Sequence, residues 1–145
     1  RSQTLVNFLN GTLELNFVGE VIFRPFNKSD LLTYQLPFDY CPDANCPMFL
    51  KYLSRVLPDK DQQSIIAEYI AYTFFSTSLL KLEKALILFG NGANGKSVLL
   101  QIVKHLLGNE NVSSYTLQSL TNEAGYQRAM LTNKLLNLAT PSIYS

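Results

Sequence analysis

The sequence holds no tryptophan, one histidine (His105) and two cysteines, Cys41 and Cys46, in 145 residues. A structural zinc site takes four ligands, so one using both cysteines would need two more, and imidazole is scarce here. The cysteines stand in Tyr40-Cys41-Pro42-Asp43-Ala44-Asn45-Cys46-Pro47. A local disulfide is sterically possible there; two reduced thiols in a Pro-bounded loop are the reading that suits an intracellular protein. An excess of one charge is also missing. Twelve basic and eleven acidic residues leave a net charge of +1, which supports no broad electrostatic surface for nucleic acid. No apolar run approaches the roughly 20 residues that cross a bilayer. The longest, Ile65 to Leu80, is broken by Glu68 and several polar side chains. Arg1-Ser2-Gln3-Thr4 lacks the basic-then-apolar layout of a secretion signal, and the chain does not start with Met. These features lead us to expect a fragment or processed chain of a cytoplasmic protein with no membrane segment.

What is present is globular in character. Apolar residues make up 47% and charged residues 16%, too apolar for disorder. The length suits one ordinary domain, or a small domain with part of another. Leu5-Val6-Asn7-Phe8-Leu9 and Thr12-Leu13-Glu14-Leu15-Asn16-Phe17 flank Asn10-Gly11, a hairpin signal because both turn residues tolerate positive φ. Val21-Ile22-Phe23 extends the pattern to a third strand. Residues 24 to 47 hold Pro25, Pro37, Pro42 and Pro47 and read as an irregular connection. Phe49, Leu50, Leu53 and Val56-Leu57 then recur at helical spacing up to Pro58. Asp59 or Asp61 caps a second helix, whose Ile65, Ile66, Tyr69, Ile70, Tyr72 and Phe74-Phe75 leave little polar surface and predict burial.

The pattern changes at Ala85-Leu86-Ile87-Leu88-Phe89, an apolar run suited to a strand buried on both faces of a parallel sheet. Gly90-Asn91-Gly92-Ala93-Asn94-Gly95-Lys96-Ser97 follows, and Val98-Leu99-Leu100, Ile102-Val103 and Leu106-Leu107 trace a helix ending at Gly108. Leu117 and Leu120 suggest a short helix, and Lys134-Leu135-Leu136-Asn137-Leu138-Ala139 another buried strand. The spacing Gly, four residues, Gly-Lys-Ser between a strand and a helix is that of a phosphate-binding P-loop. Gly90 permits the sharp turn, and Gly92 and Gly95 let backbone N–H groups close on phosphates. The helix start adds partial positive charge. Lys96 supplies a mobile cation for the β- and γ-phosphates, and the Ser97 hydroxyl is a natural Mg²⁺ ligand. The sequence therefore predicts binding of a nucleoside triphosphate with Mg²⁺, ATP first among them.

Several stretches together resemble one family. They are Leu32-Thr33-Tyr34-Gln35-Leu36-Pro37-Phe38-Asp39-Tyr40, Glu83-Lys84-Ala85 and the Gly90–Ser97 loop, with Asn94 directly before Gly-Lys-Ser. So quoted, the chain resembles the phage and plasmid primase–helicases, whose helicase part belongs to superfamily 3 and is related to the poxvirus primase–helicase. Asn10-Gly11 with Leu13 and Leu15, Gly108 with Asn111-Val112, and the 134–139 run also fit the family's spacing. The resemblance implies an α/β (α+β overall) protein. Residues 1–80 would form a β-hairpin plus helical domain, and residues 81–145 the truncated start of a P-loop (AAA+-like) ATPase core. It further implies an ATP-driven DNA helicase used in replication of a phage, plasmid or integrated element, in a bacterial host's cytoplasm. The full-length protein would act on DNA as a homo-hexamer.

One departure stands out. In the family, acidic residues at the end of the next strand bind Mg²⁺ through water and polarise the attacking water. Here Thr140-Pro141-Ser142-Ile143-Tyr144-Ser145 occupies that place, and no Asp or Glu follows Glu123. Hydrolysis needs a positioned water as well as a charge clamp, so little or no turnover is expected of these residues. Arg128 and His105 read as solvated or structural residues, and the Tyr69–Phe75 aromatics as core rather than a base-stacking row. Two other readings share the loop: a small-molecule or nucleoside kinase, and a non-catalytic assembly module with a vestigial nucleotide site.

Overall fold

The computed structural model describes residues 3–16, 18–75, 84–91, 95–121 and 125–139. Three strands, β1 (Gln3–Asn7), β2 (Thr12–Asn16) and β3 (Val21–Arg24), form an antiparallel meander in the order β1-β2-β3. Asn7 pairs with Thr12, so the first connection is the four residues from Phe8 to Gly11, closed by the Phe8 N–H to Gly11 carbonyl bond at 2.9 Å. The Asn10-Gly11 turn signal holds, with two more residues in the loop than a two-residue hairpin takes. Gly11 has a packing reason as well, since a Cβ there would lie 2.7 Å from the Arg24 carbonyl oxygen. Arg24 closes the far edge by bonding Glu14 and Asp30, both at 2.9 Å.

Residues 25 to 46 run irregularly apart from a single 3₁₀ turn at Lys28–Asp30, as the proline spacing predicts. Helix α1 (Pro47–Val56) starts with proline in its first turn, where the missing N–H costs no hydrogen bond. Helix α2 (Lys60–Tyr72) is capped by the Asp59 carboxylate, which accepts from the Asp61 N–H at 2.9 Å. The expectation of a buried α2 is corrected. Ile66 is its one buried residue and Ile65 is half exposed, because only one stripe of the helix meets other elements. Helix α3 (Lys96–Leu107) buries Leu99, Val103 and Leu107, spaced by four along one face. It stops at Gly108, whose φ of 90° favours glycine.

Downstream, β4 (Val112–Ser113) pairs in parallel with β5 (Leu136–Asn137), and the short helices α4 (Leu117–Leu120) and α5 (Tyr126–Ala129) lie between them in sequence. The expected 134–139 strand is thus shortened to two paired residues, both half-buried. Asn137 fastens the pair: its Oδ1 accepts from Ser113 Oγ and the Tyr115 N–H, each at 2.9 Å, and its Nδ2 donates to the Tyr115 carbonyl.

Ala85–Phe89 corrects the other strand expectation. Among the described residues no strand is formed there. Leu86 and Leu88 are half-buried while Ile87 is 84% and Phe89 96% exposed. This alternation of period two belongs to a segment covered on one side only. A run buried on both faces requires neighbouring strands to supply backbone partners, and no described residue supplies them.

Two apolar clusters organise the described residues. One joins Val6, Phe8 and Leu36 under the sheet. The other joins Leu53 and Ile66 to Leu99, Val103, Leu107 and Val112. Phe74 and Leu135 pack against both. Leu107 is fully buried, and burying such a side chain stabilises by about 1.5–3 kcal/mol. Mixed helices with small sheets make this an α+β architecture.

Candidate functional site

The P-loop sequence ends where α3 begins. Gly95 is the helix N-cap in the left-handed region, φ 87° and ψ −6°, and among the described residues no side chain caps the first turn. Among the described residues the side-chain cap that Asp59 provides for α2 has no counterpart at α3. Lys96 curls back on the loop: its Nζ donates to the Gly90 carbonyl at 2.6 Å and to the Asn91 carbonyl at 3.3 Å. The ammonium thus sits against two carbonyls at the start of the loop. Ser97 sits exposed on the first turn of α3. Gly92, Ala93 and Asn94, expected to wrap the phosphates, lie outside the described residues, as does the 140–145 segment that follows β5.

Residues from well before the loop complete the surroundings, and these the sequence reading did not assign to the site. Tyr52 of α1 donates its hydroxyl to the Gly95 carbonyl at 2.8 Å. Burial raises the Tyr52 phenol pKa, with the Leu99 backbone amide partly offsetting it. One turn on, Val56 lies so close that a Cβ on Gly95 would sit 2.7 Å from Val56 Cγ1. The only local sign of this was the spacing of Tyr52 and Val56 by four, which puts both on one helix face. Between the end of α1, one side of α2 and the 86–89 segment lies a cavity of about 370 Å³. Its walls are mainly apolar, Gln62 adds an amide, and Gly95 and Lys96 form one end.

A second joint lies behind α3. Asn111, buried, donates through Nδ2 to the Gln35 and Leu107 carbonyls, both at 2.8 Å. It ties the Leu32–Tyr40 stretch to the C-terminal end of the helix that carries Lys96. Tyr34 of that stretch donates to the Leu5 carbonyl at 2.9 Å, and burial pushes its phenol up to about 12.

Residues 1–58 match the family model described as D5 N terminal like. The match supports the resemblance to the phage and plasmid primase–helicases over the β-meander, the irregular connection and α1, and it stops short of the Gly90–Ser97 loop. No curated protein and no solved structure matches the chain significantly. Arg128 and His105 are exposed, and His105 Nδ1 lies 2.7 Å from the Gln101 carbonyl of its own helix. Cys41 and Cys46 are exposed free thiols. Among the described residues no cluster of His, Cys, Asp or Glu is arranged to hold a metal, and no helix is long and apolar enough to cross a membrane.

Proposed function

We propose that this chain binds ATP with Mg²⁺ through Gly90, Asn91, Gly92, Ala93, Asn94, Gly95, Lys96 and Ser97. It does so as part of an ATP-dependent replicative DNA helicase–primase of a phage, plasmid or integrated element. The observation that carries the reading is Lys96: its ammonium donates to the Gly90 and Asn91 carbonyls of a Gly-x-x-x-x-Gly-Lys-Ser stretch, at the start of a 12-residue helix. A cation, a hydroxyl and a helix N-terminus form a donor set suited to a polyphosphate with its metal. On this reading Lys96 places its charge at the β- and γ-phosphates, Ser97 supplies an oxygen to Mg²⁺, and the α3 dipole favours the bound anion. The metal's chemistry, once bound, is to neutralise charge on the phosphate oxygens.

The D5-like match on residues 1–58, upstream of the loop, favours a replication motor over a small-molecule kinase, which would be expected to begin near its P-loop. DNA would be engaged by the longer protein, as a homo-hexamer in the host cytoplasm. The role proposed for these 145 residues is nucleotide binding. Titration of a fluorescent ATP analogue with Mg²⁺ tests the assignment. Lys96→Ala abolishes the binding seen with the wild-type chain; an unchanged affinity in that variant refutes it.

A further inference from the structure

We propose that Tyr52 is a positioning residue for the nucleotide site, by which α1 of the D5-like segment aims a backbone N–H of the phosphate loop. The inference rests on the assignment of Gly90–Ser97 as a phosphate loop. The Gly95 carbonyl accepts two hydrogen bonds, from the Tyr52 hydroxyl at 2.8 Å and from the Leu99 N–H at 3.0 Å. The Leu99 bond is the first of α3 and directs that carbonyl along the helix. In a trans peptide the C=O and the following N–H point in opposite directions. Holding the Gly95 carbonyl toward α1 and α3 therefore turns the Lys96 N–H the opposite way, away from the Tyr52 hydroxyl and the Leu99 N–H.

Restraint is needed at this peptide because Gly95 carries no Cβ and adopts φ 87°, so its two flanking peptide planes rotate more freely than in any other residue. A loop that presents N–H groups to phosphate is disabled when one of its peptides flips and offers a carbonyl oxygen instead. Tyr52 opposes that flip with a bond from outside the loop. Val56 fills the space beside Gly95, 2.7 Å from where a Cβ would stand, and keeps Tyr52 and the glycine in register. Both residues lie on α1, so a displacement of the D5-like segment is felt at the phosphate loop without any contact to the nucleotide itself.

The test is Tyr52→Phe in the 145-residue chain, which removes one oxygen and keeps the ring. One hydrogen bond of this kind corresponds to a roughly three- to tenfold loss of affinity for the fluorescent ATP analogue with Mg²⁺. A purely structural effect is separated by two readouts. The nucleotide-free variant melts within about 4 °C of wild type. In the wild-type chain with ¹³C-labelled tyrosine rings, the Tyr52 resonance shifts as the analogue saturates the site. An affinity within twofold of wild type overturns the proposal, and so does a Tyr52 resonance that does not respond to saturating analogue, which requires no variant to fold. Lys96→Ala is run alongside. If it binds like wild type, the phosphate-loop assignment itself has failed; if it loses binding while Tyr52→Phe does not, the positioning role alone has failed.

Discussion

Replacing Asn111 by alanine removes a joint that neither helix propensity nor apolar packing can replace. Asn111 is 8% exposed, and its Nδ2 donates to two carbonyls, those of Leu107 and Gln35, at 2.8 Å each. The Leu107 carbonyl is one of the last four of α3, which have no partner within the helix. Each lost bond costs about 0.5–1.5 kcal/mol, and a buried carbonyl left unsatisfied adds to that, since desolvation is then uncompensated. The sum is about 2–4 kcal/mol, a large part of the roughly 5–15 kcal/mol that holds an ordinary domain folded. Urea unfolding followed by circular dichroism should show this loss, and thermal melting a drop of roughly 5–15 °C. Asn111→Asp sharpens the test, because a carboxylate would confront two carbonyl oxygens with nothing to donate. Its folded-state pKa is then raised, so stability present below the ordinary Asp pKa is lost as pH rises through the folded value. This variant should be weaker, relative to wild type, at pH 7 than at pH 4. A loss below about 0.5 kcal/mol for Asn111→Ala would show that the residue is not the joint described.

Further outcomes follow from the same structure. Gly95→Ala places a side chain at φ 87°, 2.7 Å from Val56 Cγ1; the left-handed backbone alone costs about 1–2 kcal/mol. Urea unfolding should show a loss larger than that together with weaker nucleotide binding, and wild-type behaviour in both would contradict the packing of α1 on the loop. Tyr34, raised to about 12, contributes stability that is complete below the unfolded tyrosine pKa of about 10 and is lost as pH rises toward 12. The melting temperature of wild type should therefore fall more steeply between those pH values than that of Tyr34→Phe, and parallel curves would rule this out.

Much of the local structure was legible because its causes are local. Asn10-Gly11 marks the hairpin, Asp59 caps α2, Pro58 ends α1, and Gly108 stops α3 where a left-handed residue is needed. The Gly-x-x-x-x-Gly-Lys-Ser spacing and the helix after it are likewise local features. Legibility failed where an outcome depends on what covers a surface. Ala85–Phe89 and the aromatic-rich α2 read as fully buried because composition reports a side chain's preference for burial. Whether a second face is covered depends on elements elsewhere in the chain.

Local pattern alone established the hairpin, the three longer helices, the phosphate-loop motif and the resemblance to the phage and plasmid primase–helicases. The tertiary structure alone decided that Tyr52 and Val56 seat on Gly95, 43 residues beyond Tyr52. It also decided that Asn111 binds the carbonyl of Gln35, 76 residues before it, and that β4 pairs with β5. Caps, turns and helical stripes follow from interactions across four residues or fewer, which a sequence displays directly. Contacts across tens of residues depend on how the clusters close, and no local pattern records that.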